Sequence, residues 1–188
     1  MKKIVAVAIA CIGFSGFANA ASFLNGGFEA GDYSGWTQTS GTVSGNTADA
    51  TGNLLLNPAS YTTNTNWQGA ITSAGYDPIL GGTRLSMVKY GDHSVRVNNS
   101  VNNYSVNVLT QSVSNYDGNS INFAWAAVLE ASHGIQDSDI FGLKVTDTTT
   151  NTVLYNATYS SANTASCSGC FTQYGSWFYT DWREISLA

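Results

Sequence analysis

Past residue 20, runs with apolar residues at every second position recur between turn residues, and no stretch shows the 3.6-residue period of a helix. Residues 94–100, SVRVNNS, put Val95 and Val97 on one face. Residues 104–113, YSVNVLTQSV, put Val106 and Val108 on one face and Leu109, Gln111 and Val113 on the other, which calls for a bulge or for burial on both sides. Residues 120–130, SINFAWAAVLE, alternate at first, with Ile121, Phe123 and Trp125 against Asn122 and Ala124. They then become continuously apolar, as a strand covered on both faces does. Phe141, Leu143 and Val145 share a face, and DTTTN at 147–151 has the composition of a hairpin turn before the next run. Such a chain buries its apolar residues by pairing strands and packing sheets. The expected fold is all-β: an antiparallel β-sandwich with Greek-key or jelly-roll connections.

The first twenty residues stand outside this pattern. Lys2 and Lys3 precede an apolar run from Ile4 to Phe17, and Ala18-Asn19-Ala20 is a small-x-small cleavage pattern. We expect a bacterial signal peptide over 1–20, cut after Ala20, and a secreted or cell-surface domain over 21–188. The run is too short for a membrane span, so no transmembrane segment is expected in the mature chain. Removing 1–20 leaves five basic residues against twelve acidic, a net charge of −7. Without a basic cluster the chain lacks the electrostatic footprint of a nucleic-acid binder. Neutral ligands or cations remain as partners.

Residues 40–93 are rich in Gly, Thr, Asn and Ser. The length of this stretch calls for short strands within it, such as NLLL at 53–56 and TRLSMVKY at 83–90. The final run, 182–188, alternates as a strand and stops in mid-pattern, so the sandwich is expected to be incomplete at its C-terminus.

Three groups of residues carry candidate chemistry. Cys167 and Cys170 form a C-x-x-C in a Ser/Gly loop. In an exported protein the default is a disulfide, either between these two or with a further cysteine, because neither histidine lies near enough in sequence to complete a zinc site. Glu130, Ser132, His133, Asp137 and Asp139 crowd together, but no nucleophile-elbow pattern surrounds Ser132. A polar loop is the favoured reading over a hydrolase using Glu130, His133 and Asp137. Finally, aromatic residues populate the loop-rich half. Trp36, Trp125 and Trp182 are assigned to the core. Tyr61, Trp67 and Tyr76 are the candidates for stacking on the C–H faces of a sugar.

The opening segment LNGGFEAGDYSGWT (24–37), GDHSVRVNN (91–99) and the run 123–154 together resemble galactose-binding-like β-sandwich domains, among them carbohydrate-binding modules and exported proteins of the PEP-CTERM type. The sorting tail of the latter class is not found within residues 1–188. The resemblance implies a non-catalytic recognition module for a polysaccharide or other glycan. The alternative is a structural surface or matrix protein without a small ligand. It also implies a structural calcium held by Glu29. Read as a strand, the segment points Phe28 inward and Glu29 outward, with Asn25 and Asp32 adding oxygens of the kind Ca²⁺ takes.

Overall fold

The computed structural model describes residues 22–43, 61–101, 104–131, 138–164 and 167–188, and along the main chain 5–7. Thirteen strands are defined and no α-helix lies among the described residues. The largest sheet contains β1 (Val5–Val7), β2 (Thr37–Thr42), β3 (Thr62–Asn64), β6 (Ser105–Thr110), β9 (Ile140–Asp147) and β10 (Thr152–Ser160), in the order β10-β9-β1-β6-β2-β3. Its pairings are antiparallel except that β1 runs parallel to both β6 and β9. Smaller antiparallel sheets join β4 (Ala70–Ser73) to β5 (His93–Arg96) and β7 (Ile121–Trp125) to β13 (Arg183–Leu187). A three-stranded sheet joins β8 (Val128–Glu130), β12 (Trp177–Thr180) and β11 (Phe171–Tyr174). This is the all-β, sandwich-like arrangement that the alternation demanded.

The period of two explains which face meets which layer. On β9, Phe141, Leu143 and Val145 join Phe123, Trp125, Ala127 and Leu129 of the β7–β8 region in one buried cluster. The Trp125 ring stacks on Tyr159 at 4.8 Å and tilts against Phe141 at 5.2 Å, contacts worth about 0.5–1.5 kcal/mol each beyond the area they bury. Ile140 turns to the opposite face, where it meets Val43 and Val106. The ambiguity at β6 resolves as burial on both sides: Val106 and Val108 pack in that second cluster, and Leu109 packs with Phe28, Trp36 and Val97 in a third. Val95 and Val97 face this third cluster together, as their spacing predicted.

Two segments depart from the sequence reading. TRLSMVKY at 83–90 is not a strand; only Ser86 forms a bridge, to Tyr76. Gly81 and Gly82 have φ of 63° and 59°, which turns the chain, and side-chain hydroxyls occupy carbonyls a strand partner would take: Ser86 donates to Val88 and Ser94 to Met87. The strands within the long connection are instead β3 and β4. NLLL at 53–56 lies outside the described residues.

The opening segment is a chain of turns and not a first strand. Asn25, Phe28, Gly31 and Gly35 all have positive φ, and the backbone closes on itself from Phe28 N to Asn25 O, Gly31 N to Phe28 O and Trp36 N to Tyr33 O. Phe28 still points inward. It is fully buried and stacks on Trp36 with ring centroids 5.1 Å apart. Positive φ is unusual for a bulky residue, and burial of that ring opposes the backbone strain.

Candidate functional site

The opening segment positions its polar residues through those turns. The Glu29 carboxylate accepts from the amides of Asp92 (3.0 Å) and His93 (3.3 Å), tying the segment to the start of β5. Gly91 makes this approach feasible: it has φ 70°, and a Cβ there would lie 2.6 Å from the Glu29 carboxyl carbon. Asn25 and Asp32 form a separate clasp. The Asn25 amide donates to the Asp32 carbonyl and carboxylate and to the Ser34 hydroxyl, while its own carbonyl accepts from Ala30. The Ser34 hydroxyl, and then its amide, hold the exposed Asp32 carboxyl below the ordinary range. The donor types suit calcium, but Glu29 turns to the 91–93 turn while Asp32 turns to Ser34. No group of three or more His, Cys, Asp or Glu able to share an ion lies among the described residues.

The aromatic candidates separate in space. Tyr61 is half-buried on the cluster of Val43, Val106 and Ile140. Trp67 packs on the third cluster, edge-on to Tyr33 at 5.7 Å, with its indole N–H donating to the Tyr33 hydroxyl. Tyr76 is exposed. Of the core assignments, Trp36 and Trp125 are buried, whereas Trp182 is half-buried with its indole N–H on the Ser86 carbonyl. Cys167 and Cys170 are joined to each other, their Cα atoms 5.4 Å apart. Of the crowded polar residues, Asp139 is buried, with one oxygen accepting from the Glu130 amide at 2.6 Å. Ser132, His133 and Asp137 lie outside the described residues.

Trp182 belongs to a different feature, a cavity of about 130 Å³ between β5, the 77–87 loop, β8 and the start of β12. Alternation along residues 94–98 builds one wall. Val95 and Val97 serve the third cluster, and the intervening Ser94, Arg96 and Asn98 supply the polar lining. Asn98, two residues past the end of β5, lies in the left-handed region, φ 81°, and is 2 % exposed. Its carbonyl oxygen accepts from the Asn99 amide and the Ser105 hydroxyl, which fixes the side-chain orientation. That leaves Asn98 Nδ2 buried without an acceptor, and Arg96 Nε is in the same condition.

The opposite side carries an acceptor. Asp77 is buried, and its Oδ1 takes the amides of Ile79 and Leu80, both at 2.9 Å, which shapes the loop. Ala127, Leu129 and Phe141 supply apolar surface, and Trp177 and Trp182 supply aromatic surface. Buried polar groups are ordinarily satisfied, and an unmade hydrogen bond costs about 1–3 kcal/mol. Two orphaned donors on one small cavity therefore favour any guest with acceptor oxygens. The volume is close to the ~150 Å³ of a cavity that holds one benzene ring, so the guest is one ring in size.

Sequence reasoning missed Arg96, Asn98, Asp77 and Trp177. The available signal was the alternation itself: a chain poor in basic residues places Arg96 between two core valines, on the other face of the strand. Compared with models of protein families, with curated proteins and with solved structures, the chain matches none.

Proposed function

We propose that the chain is a non-catalytic, extracellular recognition module of the galactose-binding-like, jelly-roll kind, and that it takes one neutral sugar ring of a polysaccharide in the cavity beside β5. The observation that carries this reading is the pair of orphaned donors, Asn98 Nδ2 and Arg96 Nε, on a ring-sized cavity walled partly by tryptophan. A pyranose offers acceptor oxygens to those donors, hydroxyl donors to Asp77 and C–H faces to Trp177 or Trp182. Neutrality follows from the acidic chain, which repels an anionic guest, and from Asp77 and Arg96 together on the wall, whose charges offset each other.

Affinity electrophoresis against a panel of neutral and acidic polysaccharides tests the proposal. Retardation by a neutral polymer, lost in Arg96→Met and kept in Trp67→Ala, supports it. Migration unchanged on every polymer, or retardation lost only in Trp67→Ala, overturns it.

A further inference from the structure

Tyr174 and Trp177 close the β11–β12 hairpin as its last registered pair, with only Gly175 and Ser176 between them. Gly175 has φ 58°, the positive value that a two-residue hairpin turn requires at its first central position. Residues directly opposite on antiparallel strands leave the sheet on the same side, so the Tyr174 side chain is the immediate neighbour of Trp177, which walls the cavity. The hairpin tip is fastened to the body, because the Ser176 carbonyl accepts from the Ala131 amide at 2.6 Å. Tyr174 itself lies outside the cavity lining and is 42 % exposed.

A tyrosine so exposed ordinarily keeps its rotamer freedom, but this ring is held from one side. The Arg84 guanidinium carbon sits 3.7 Å from the ring centroid, a cation–π contact. Arg84 Nη1 is fixed in turn by donating to the carbonyls of Leu80 and Gly81, at 3.0 and 3.1 Å. Arg84 belongs to the 77–87 loop, another wall of the same cavity. The ring and the cation therefore meet at the rim, where the loop and the hairpin come together.

We infer that Tyr174 is a second sugar subsite, on which the polysaccharide ring adjoining the one in the cavity stacks against the face turned away from Arg84. The inference rests on the cavity reading above. A ring bound within a polymer carries its neighbour on a glycosidic oxygen, so the neighbour must lie at the rim, and Tyr174 presents an immobilised aromatic face there. The C–H face of a neutral pyranose is apolar and matches that ring without needing a charge. Because Arg84 holds the ring beforehand, little side-chain freedom is lost on binding. The cavity then selects the identity of one ring, and Tyr174 adds affinity for chain length.

The test titrates the full chain with glucose, galactose and mannose and with the disaccharides and trisaccharides built from each, following the indole N–H signals. The expected result is that lengthening a hexose that binds tightens binding by about tenfold. Tyr174→Ala should cut that gain to about twofold or less and leave the affinity for the single hexose unchanged. Tyr174→Thr, which suits an exposed strand position, should do the same and serves if alanine loosens the hairpin. Tyr174→Phe should keep the gain, and so should Tyr116→Ala, an exposed tyrosine packed on Phe23 away from the cavity. If a hexose binds but lengthening it brings no gain, or the gain survives in Tyr174→Ala and Tyr174→Thr, or those variants lose hexose and oligomer affinity in equal proportion, this inference alone is overturned. If none of the sugars binds, it falls together with the cavity reading.

Discussion

The contact between Glu29 and the 91–93 turn makes a prediction that can be worked through. Glu29→Ala removes an exposed carboxylate that accepts from two backbone amides, Asp92 and His93. At an exposed position each such bond contributes near the low end of the usual range, so the loss is about 1–2 kcal/mol. For a chain of this size that lowers the melting temperature by about 2–8 °C. Gly91→Ala costs more, for two reasons: φ of 70° adds about 1–2 kcal/mol for any residue with a Cβ, and the new methyl displaces the Glu29 carboxyl and forfeits both hydrogen bonds. In the double variant the carboxylate is already gone, and only the backbone term is added. The double variant is therefore less destabilised than the sum of the singles by about 1–2 kcal/mol, a coupling well above the ~0.3–0.5 kcal/mol scatter of independent sites. Urea unfolding of the four proteins measures this. Additivity within that scatter would refute the reasoning, because it would mean that the carboxylate does not sit over Gly91.

Replacing Cys167 and Cys170 by serine opens a ring of only four residues, so the chain-entropy cost is about 1.9 kcal/mol at 25 °C, and denaturation midpoints should show a modest loss with the fold retained. Burial, and then the hydrogen bond to Tyr159, push the Tyr155 hydroxyl up to about 12 from an ordinary value near 10. The fold favours its protonated form, so this contribution is full below pH 10 and is lost as pH rises through about 12; ultraviolet titration should show Tyr155 among the late-ionising tyrosines, with Tyr90, whose hydroxyl is raised by its hydrogen bond to Glu184. The calcium reading of Glu29 predicts a melting temperature that falls in EDTA and recovers with added Ca²⁺, and a melting temperature indifferent to both removes it. Arg96→Met deletes a buried unsatisfied donor, so stability should hold or rise while affinity for a bound sugar falls about tenfold or more.

Much of the fold was legible because burial on a sheet follows a period of two. Val95 with Val97, and Phe141 with Leu143 and Val145, were assigned to shared faces from spacing alone, and they pack accordingly. The opening segment was misread as a strand because its backbone depends on positive φ at Asn25 and Phe28, and composition does not mark Phe28 for that conformation. TRLSMVKY has strand-like residues, but its neighbours' glycines and hydroxyls close it into bends. The cavity was harder still. Alternation separates Arg96 and Asn98 from Val95 and Val97, but it cannot say whether the second face meets water or another layer. Only the placement of the 77–87 loop, Ala127 and Trp177 against β5 turns that face inward. Trp182 was taken for core on size, while its position at the cavity wall depends on the Ser86 carbonyl.

The five tryptophans make the central claim directly measurable, since each indole N–H gives its own nuclear magnetic resonance signal. Titration with neutral hexoses and their oligomers should shift the Trp177 and Trp182 signals saturably and leave Trp36, Trp67 and Trp125 in place. If no sugar moves Trp177 or Trp182, or if the shifts are confined to Trp67, the cavity beside β5 is not a carbohydrate site.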